Sequence, residues 1–217
     1  MIIRPSSFQI FPLNSYRTAR STSSVIQPVA RYIWPWRIDS VSIVQSIRWS
    51  PSPSAMAFPA IKVLIRTAST YGWPSNVLHY YTLQPNTSFS RTGSINTRNL
   101  PYLHPRFVQS LASPVRLLAP SHAVLGPYGT ALWIDNHTED YFMQPGQRLA
   151  GRLLRDGDSA GQGATGPGPP SEIPSDTMAS TVYAVREHDD WLHVALDEQE
   201  GRIAVGNRNG KISLLEY

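Results

Sequence analysis

The last twenty-seven residues, Trp191 to Tyr217, constrain the fold more tightly than any other stretch of the chain. Leu192, Val194 and Leu196 alternate with His193 and Ala195, and a period of two is the signature of a strand. The turn signal Asp197-Glu198-Gln199-Glu200-Gly201 follows, and Arg202 to Asn207 reads as a second strand. Asn209-Gly210 then marks a hairpin, since both residue types tolerate the positive φ of a type I′ turn, and Lys211 to Tyr217 forms the third strand. The pattern places Trp191, Val194, Ile203, Val205, Ile212 and Leu214 in the buried part of one antiparallel sheet.

The same plan recurs upstream. Val41, Ile43, Ile47 and Trp49 alternate with polar residues until Ser50-Pro51-Ser52-Pro53 breaks the run. Ile61, Val63 and Ile65 alternate with Lys62 and Arg66, and a turn at 71–76 leads into the strand 77–83. Residues 84–114 are polar and irregular, and a loop of that length is functional or disordered. A third unit combines 115–118, 123–126 and 130–135, with 147–154 as a further strand. Thr181 to Arg186 opens the last unit. Residues 155–177 hold five Gly, four Pro and one large apolar residue, Ile173, too little to offset chain entropy, and read as a disordered linker.

Three units spaced about 50 residues apart, once the linker is removed, match the period of propeller blades. The expected fold is all-β: an incomplete or partial β-propeller-like array of antiparallel blades over 39–217, with disordered segments. Too few blades leave open sheet edges, so self-association through those edges is expected. Trp49, Trp133 and Trp191 lie in or beside strands and read as buried blade residues.

The net charge of +4 hides a division. Residues 1–134 carry twelve bases and one acid, +11, whereas 135–217 carry seven bases and fourteen acids, −7. Packed into one body the two fields largely cancel. The chain has no cysteine, which excludes disulfides, thiolate metal sites and a cysteine nucleophile. No apolar run reaches the roughly 18 residues of a membrane span. Residues 1–38, with five arginines and no acid, read as a disordered or targeting-like tail. The expected compartment is the cytoplasm or nucleus, with the mitochondrion as the alternative.

The segments LGPYGTALWIDNHTEDYF (125–142), GQRLAGRLL (146–154) and VALDEQEGRIAVGNRNGKISLLEY (194–217) resemble the C-terminal region of predicted F-box proteins of mushroom-forming fungi. The last segment is also similar to a WD40 repeat, with Leu215-Glu216-Tyr217 where that repeat closes on Trp-Asp. The resemblance covers about 41–154 and 180–217 and implies a domain that selects the substrate of a ubiquitin ligase. Residues 1–40 offer no three-helix F-box pattern.

Chemistry-bearing motifs are scarce. Gly161-Gln162-Gly163-Ala164-Thr165-Gly166 has the letters of a dinucleotide fingerprint, but it sits in the linker and not between strand and helix. Asp135, His137, Glu139 and Asp140 cluster after a strand, where a solvated loop is commoner than a metal site. Ser, His and Asp are all present, but no nucleophile, base and oxyanion set is assembled from them. The reading therefore assigns no catalytic residue, no cofactor and no metal. It favours a protein partner, gripped by Trp73, Arg91, Arg98, Tyr102 and Arg106, because exposed arginines and aromatics are the types enriched at interfaces. The first alternative is a basic nucleic-acid-binding module built on the arginine-rich first part, with arginines on phosphate and aromatics stacked on bases; the second is an enzyme on a propeller, whose acids and histidines would converge on one channel.

Overall fold

The computed structural model describes residues 2–11, 27–47, 58–67, 77–90, 92–112, 116–118, 123–137, 146–154, 180–188 and 190–217. Among them all regular structure is β. Four antiparallel sheets follow one another along the chain. The first holds β1 (Ile2–Arg4), β2 (Ser7–Ile10) and β3 (Ala30–Ile33), in that order. The second is the meander β4 (Ile38–Gln45), β5 (Ile61–Thr67), β6 (Val77–Leu83) and β7 (Arg106–Ala112). The third runs β12-β11-β10-β8, with β9 also paired to β10; its members are β8 (Arg116–Leu118), β9 (Val124–Leu125), β10 (Thr130–His137), β11 (Gln147–Leu153) and β12 (Thr181–Arg186). The fourth is β13 (Trp191–Asp197), β14 (Arg202–Asn207) and β15 (Ile212–Glu216). This is a propeller-like array of antiparallel blades.

Strand alternation explains how the sheets stack. Phe8 of the first sheet and Trp34 just after β3 pack on Val63, Ile65, Tyr81 and Leu83 of the second. The opposite residues of the same strands, Leu64, Leu78 and Tyr80, meet Leu125, Ala131, Trp133 and Ala150 of the third. From the far face of the third, Leu132, Ile134 and Leu149 meet Trp191, Val194, Ile203 and Val205 of the fourth. Both faces of β5, β6 and β10 are thus covered, which is why these strands read as nearly continuous apolar runs.

Several sequence expectations change. The tail expected over 1–38 is, in its described part, the first sheet, anchored by Phe8 and Trp34 at 1% and 6% exposure. Phe8 stacks on Tyr32 at 4.5 Å, and Trp34 sits 5.3 Å from Tyr81. Aromatic burial, not strand periodicity, holds this short sheet. The irregular stretch 84–114 contains β7, which pairs with β6 from Val77↔Ala112 to Thr82↔Arg106. The segment 181–186 joins the third sheet beside β11 and not the fourth. The expected linker 155–177 lies outside the described residues.

Ile212 and Leu214 are exposed, at 71% and 74%, where burial was expected. The cause is register. Leu214 lies opposite Ala204, and Ile212 opposite Gly206, on the face turned away from the third sheet. Leu215 lies opposite Ile203 and turns inward. The Asn207–Gly210 turn also departs from type I′. Among the described residues no non-glycine has positive φ, while Gly210 has φ 80°. Gly210 N donates to Asn207 O at 3.0 Å, and Asn207 N to Lys211 O at 2.8 Å, the three-residue hairpin in which only the last position is left-handed.

His79 is buried against Trp36, stacked at 3.9 Å, and its Nδ1 is 2.9 Å from Ser110 Oγ. Burial disfavours the imidazolium and pushes its pKa down from 6.5 to about 4. The unfolded chain therefore takes up this proton first as pH falls. The stabilisation is complete above pH 6.5 and is lost between 6.5 and about 4, a range worth roughly 3 kcal/mol.

Two predictions follow from the core. Ile203→Ala should destabilise by about 2 to 5 kcal/mol, whereas Leu214→Ala should stay within about 0.5 kcal/mol; equal effects in urea unfolding would mean the register is wrong. His79→Gln should flatten the loss of stability between pH 7 and 4.5 relative to the parent protein. Parallel pH profiles would show that His79 does not titrate in this way.

Candidate functional site

The second, third and fourth sheets present one common end. β5 begins there, and Lys62, its second residue, donates from Nζ to Tyr128 O at 3.2 Å. Tyr128 sits in the turn 126–129 of the third sheet. Its N–H donates to Glu198 Oε2 at 2.6 Å, and Thr130 N donates to Glu198 Oε1 at 2.8 Å. Glu198 belongs to the β13–β14 turn, so one carboxylate caps two backbone donors of the neighbouring sheet. A Cβ at Gly126 would overlap that carboxylate, which gives this glycine a steric reason. Tyr217 closes the corner: its N–H donates to Gly201 O at 3.0 Å. Burial, then the Glu198 carboxylate, raise the pKa of its hydroxyl.

The loop 84–105 leaves the second sheet at this end and is built, not slack. Pro85 and Tyr102 form an antiparallel bridge, as do Asn96 and Asn99. Asn86 N donates to Pro101 O and Leu103 N to Gln84 O, both at 2.9 Å. Asparagine side chains brace the tip. Asn99 Oδ1 accepts from Ser90 N at 2.8 Å, while its Nδ2 donates to Ser90 O at 2.9 Å and to Ser94 O at 3.1 Å. Asn96 Oδ1 accepts from Arg98 N at 2.9 Å and Asn99 N at 3.1 Å. Such local bonds give irregular backbone partners it would otherwise lack. Phe58 packs near Phe89 and Tyr102, at 5.7 and 6.0 Å. His104 meets the first sheet edge-on at Tyr32, 4.6 Å away.

Of the residues singled out from sequence, Arg98, Tyr102 and Arg106 lie in or beside this loop, and Trp73 and Arg91 lie outside the described residues. Arg98 is exposed at the tip. Arg106 is exposed at the start of β7, opposite Thr82. Tyr102 is half-buried, and its hydroxyl donates to Pro59 O at 3.1 Å; burial raises its pKa. Its hydroxyl therefore braces the loop. Sequence reasoning did not single out Leu103, 50% exposed, or Tyr128, 47% exposed, on the same end. The Pro127-Tyr128-Gly129 turn was the available signal for the second; nothing in the sequence marked the first.

Asp135, in the candidate acidic cluster, is wholly buried and accepts from Arg148 Nη2 at 2.8 Å and Nε at 3.0 Å. It is committed to an internal ion pair between β10 and β11. Glu139 and Asp140 lie outside the described residues, among which no group of three His, Asp or Glu side chains is placed to hold a metal. Among the described residues no helix is long and apolar enough to cross a membrane.

Comparison of the chain with protein-family models, curated proteins and solved structures gives no match.

The capping arrangement gives a direct test. Glu198→Ala removes the acceptor for two backbone N–H groups and should cost about 1 to 2 kcal/mol, discounted for its partial exposure. Glu198→Gln should recover part of that loss, since the amide oxygen still accepts one bond. No loss in Glu198→Ala, measured by urea unfolding, would show that water replaces the carboxylate without cost.

Proposed function

We propose that this chain is a non-catalytic recognition module whose partner is a protein, bound at the end of the array that carries the loop 84–105 and the turn 126–129. The supporting observation is the internal bracing of the loop by Asn86, Asn96 and Asn99. A braced loop loses little conformational entropy on binding. Its outward side chains, Arg98 and Leu103, together with Tyr128 on the adjoining turn, combine a cation, an aliphatic group and an aromatic group, a mixture suited to protein interfaces.

Charge favours protein over nucleic acid at this end. The Arg98 tip shares it with the β13–β14 turn, which carries Asp197, Glu198 and Glu200. A polyanion tracking the arginines would run towards those carboxylates, whereas a protein surface of mixed sign matches both. In the arrangement implied by the resemblance to fungal F-box proteins, this surface would select the substrate of a ubiquitin ligase.

The test replaces only exposed side chains. Arg98→Glu with Leu103→Asp should abolish capture of the protein partner and leave the unfolding midpoint unchanged. Tyr102→Ala should instead lower the midpoint, because it removes a brace. Recovery of the same partners by the Arg98/Leu103 variant would take this surface out of the proposal. Binding to nucleic acid that falls by about one log unit per log unit of salt for each phosphate contacted would replace it with the basic-module reading.

A further inference from the structure

The fourth sheet is one strand narrower than its neighbours. β9 lies against β4 and β13, so the second, third and fourth sheets begin on a common side. On the opposite side they end with β7, β12 and β15. The second and third sheets are four strands across, and the fourth is three. β12 therefore lies over the margin of the fourth sheet. Its Tyr183 and Ala184 pack in the same cluster as Leu215, and the Tyr183 ring is 5.5 Å from that of Tyr217.

The margin itself is open. Among the described residues β15 pairs with β14 alone. Asn207 N donates to Lys211 O, and Tyr217 N donates to Gly201 O. Antiparallel bonding alternates along a strand, so residues 211, 213, 215 and 217 turn their peptide groups to β14. Ile212, Leu214 and Glu216 turn theirs outward, a row of N–H and C=O groups. Their side chains are exposed as well, Ile212 at 71% and Leu214 at 74%. No proline or inward-pointing charge blunts this edge. It carries charge at both ends: exposed Arg208 and Lys211 where β15 starts, exposed Glu216 where it finishes.

We propose that β15 takes an extended peptide of a partner protein as a fourth, antiparallel strand, with a base at the peptide's N-terminal end, an acid at its C-terminal end and apolar residues facing β12. The antiparallel direction sets the peptide's first residue opposite Glu216 and its last opposite Lys211, where opposite charges stabilise and like charges do not. Residues opposite Ser213 and Leu215 turn towards Tyr183 and Ala184, which selects apolar side chains there. Main-chain bonds give such a complex its affinity and alternate side chains give its specificity. A second copy does not fit the same edge. Pairing β15 with β15 about a twofold axis, in one continuous sheet, puts both third sheets on one side, and the two β12 strands collide over the seam. A lone peptide brings no second layer. The site does not use the loop 84–105, so its test is separate from that of the loop surface.

The probe is the blocked, dye-labelled peptide Lys-Val-Thr-Val-Thr-Glu, titrated with the full chain by fluorescence anisotropy. Its threonines lie opposite Leu214 and Ile212. Methylating both threonine nitrogens removes N–H groups aimed at β15 and should weaken binding by about tenfold or more. Methylating both valine nitrogens, aimed at solvent, should weaken it far less. Exchanging the peptide's lysine and glutamate should weaken binding to the parent, and Lys211→Glu with Glu216→Lys in the protein should restore it. Leu214→Pro removes an outward donor without breaking the β14 ladder, and should abolish binding while unfolding stays cooperative. The Arg98→Glu, Leu103→Asp variant should bind the probe as the parent does. The proposal is overturned by the absence of saturable binding below about 1 mM, by equal losses from the two methylation patterns, or by loss of binding in the Arg98/Leu103 variant. Dimerisation of the parent without probe, abolished by Leu214→Pro, would also overturn it and give the edge to a second copy.

Discussion

The interior sheets of this array must bury both faces, and most of the architecture depends on that constraint. A sheet of three to five short strands has too little apolar surface on one side to hold itself together in water. β5 meets it with Leu64 turned to one neighbour and Val63 and Ile65 to the other. β10 does the same with Ala131 and Trp133 against Leu132 and Ile134. Deleting any one sheet would expose a face that the next sheet was shaped to cover, so the four units stabilise one another and not only themselves.

Apolar stacking alone is non-directional, and polar links fix how the sheets sit. Gln147 presents its amide to the backbone of Trp191 as if it were a peptide group. Its Nε2 donates to Trp191 O at 3.1 Å, and its Oε1 accepts from Trp191 N at 2.7 Å. That pair continues the third sheet's hydrogen bonding into the fourth through a side chain. Ser42 Oγ accepts from Leu125 N at 3.0 Å and ties β4 to β9. The sequence from Lys62 through Tyr128 to Glu198 then joins three sheets at one end. Apart from the exposed Tyr128, these partners are buried or half-buried, where an unmade bond costs more than a made one contributes. The links therefore select one stacking geometry against sliding alternatives.

The all-β class and eleven of the strands were legible because period two survives in short windows. What was illegible has identifiable causes. β7 was hidden by its neighbourhood: Arg106-Phe107-Val108-Gln109-Ser110-Leu111 lies behind the irregular, largely polar stretch 84–105, and Ser110 is inside because it faces His79. The first sheet was hidden by arginine and proline, although Phe8, Tyr32, Trp34 and Trp36 carry its packing. The phase of β15 was a different failure. Ile212, Leu214 and Leu215 are all apolar, so alternation does not say which side faces in; only pairing to β14 decides that Leu215 does. The site was legible in part. Composition pointed to the arginines of the loop, but the bracing role of Tyr102 depends on Pro59, forty-three residues away, and Glu198 caps donors sixty-eight and seventy residues away.

The loop 84–105 shows how this chain reconciles rigidity with irregular backbone. A segment of that length without regular structure would ordinarily be mobile. Here asparagine side chains take the place of a partner strand, and aromatic contacts near the loop's C-terminal end, Tyr102 with Phe58 and His104 with Tyr32 of the first sheet, seat it. The outcome is a surface whose backbone is fixed while its long side chains stay in solvent. Phosphate binding by clustered arginines needs only charge density and tolerates a flexible backbone. Holding Arg98 on an Asn96-centred turn, with Leu103 and Tyr128 displayed on the same end, is useful when the partner has a shape of its own. The internal bracing thus argues for a folded protein partner more strongly than the arginine content does.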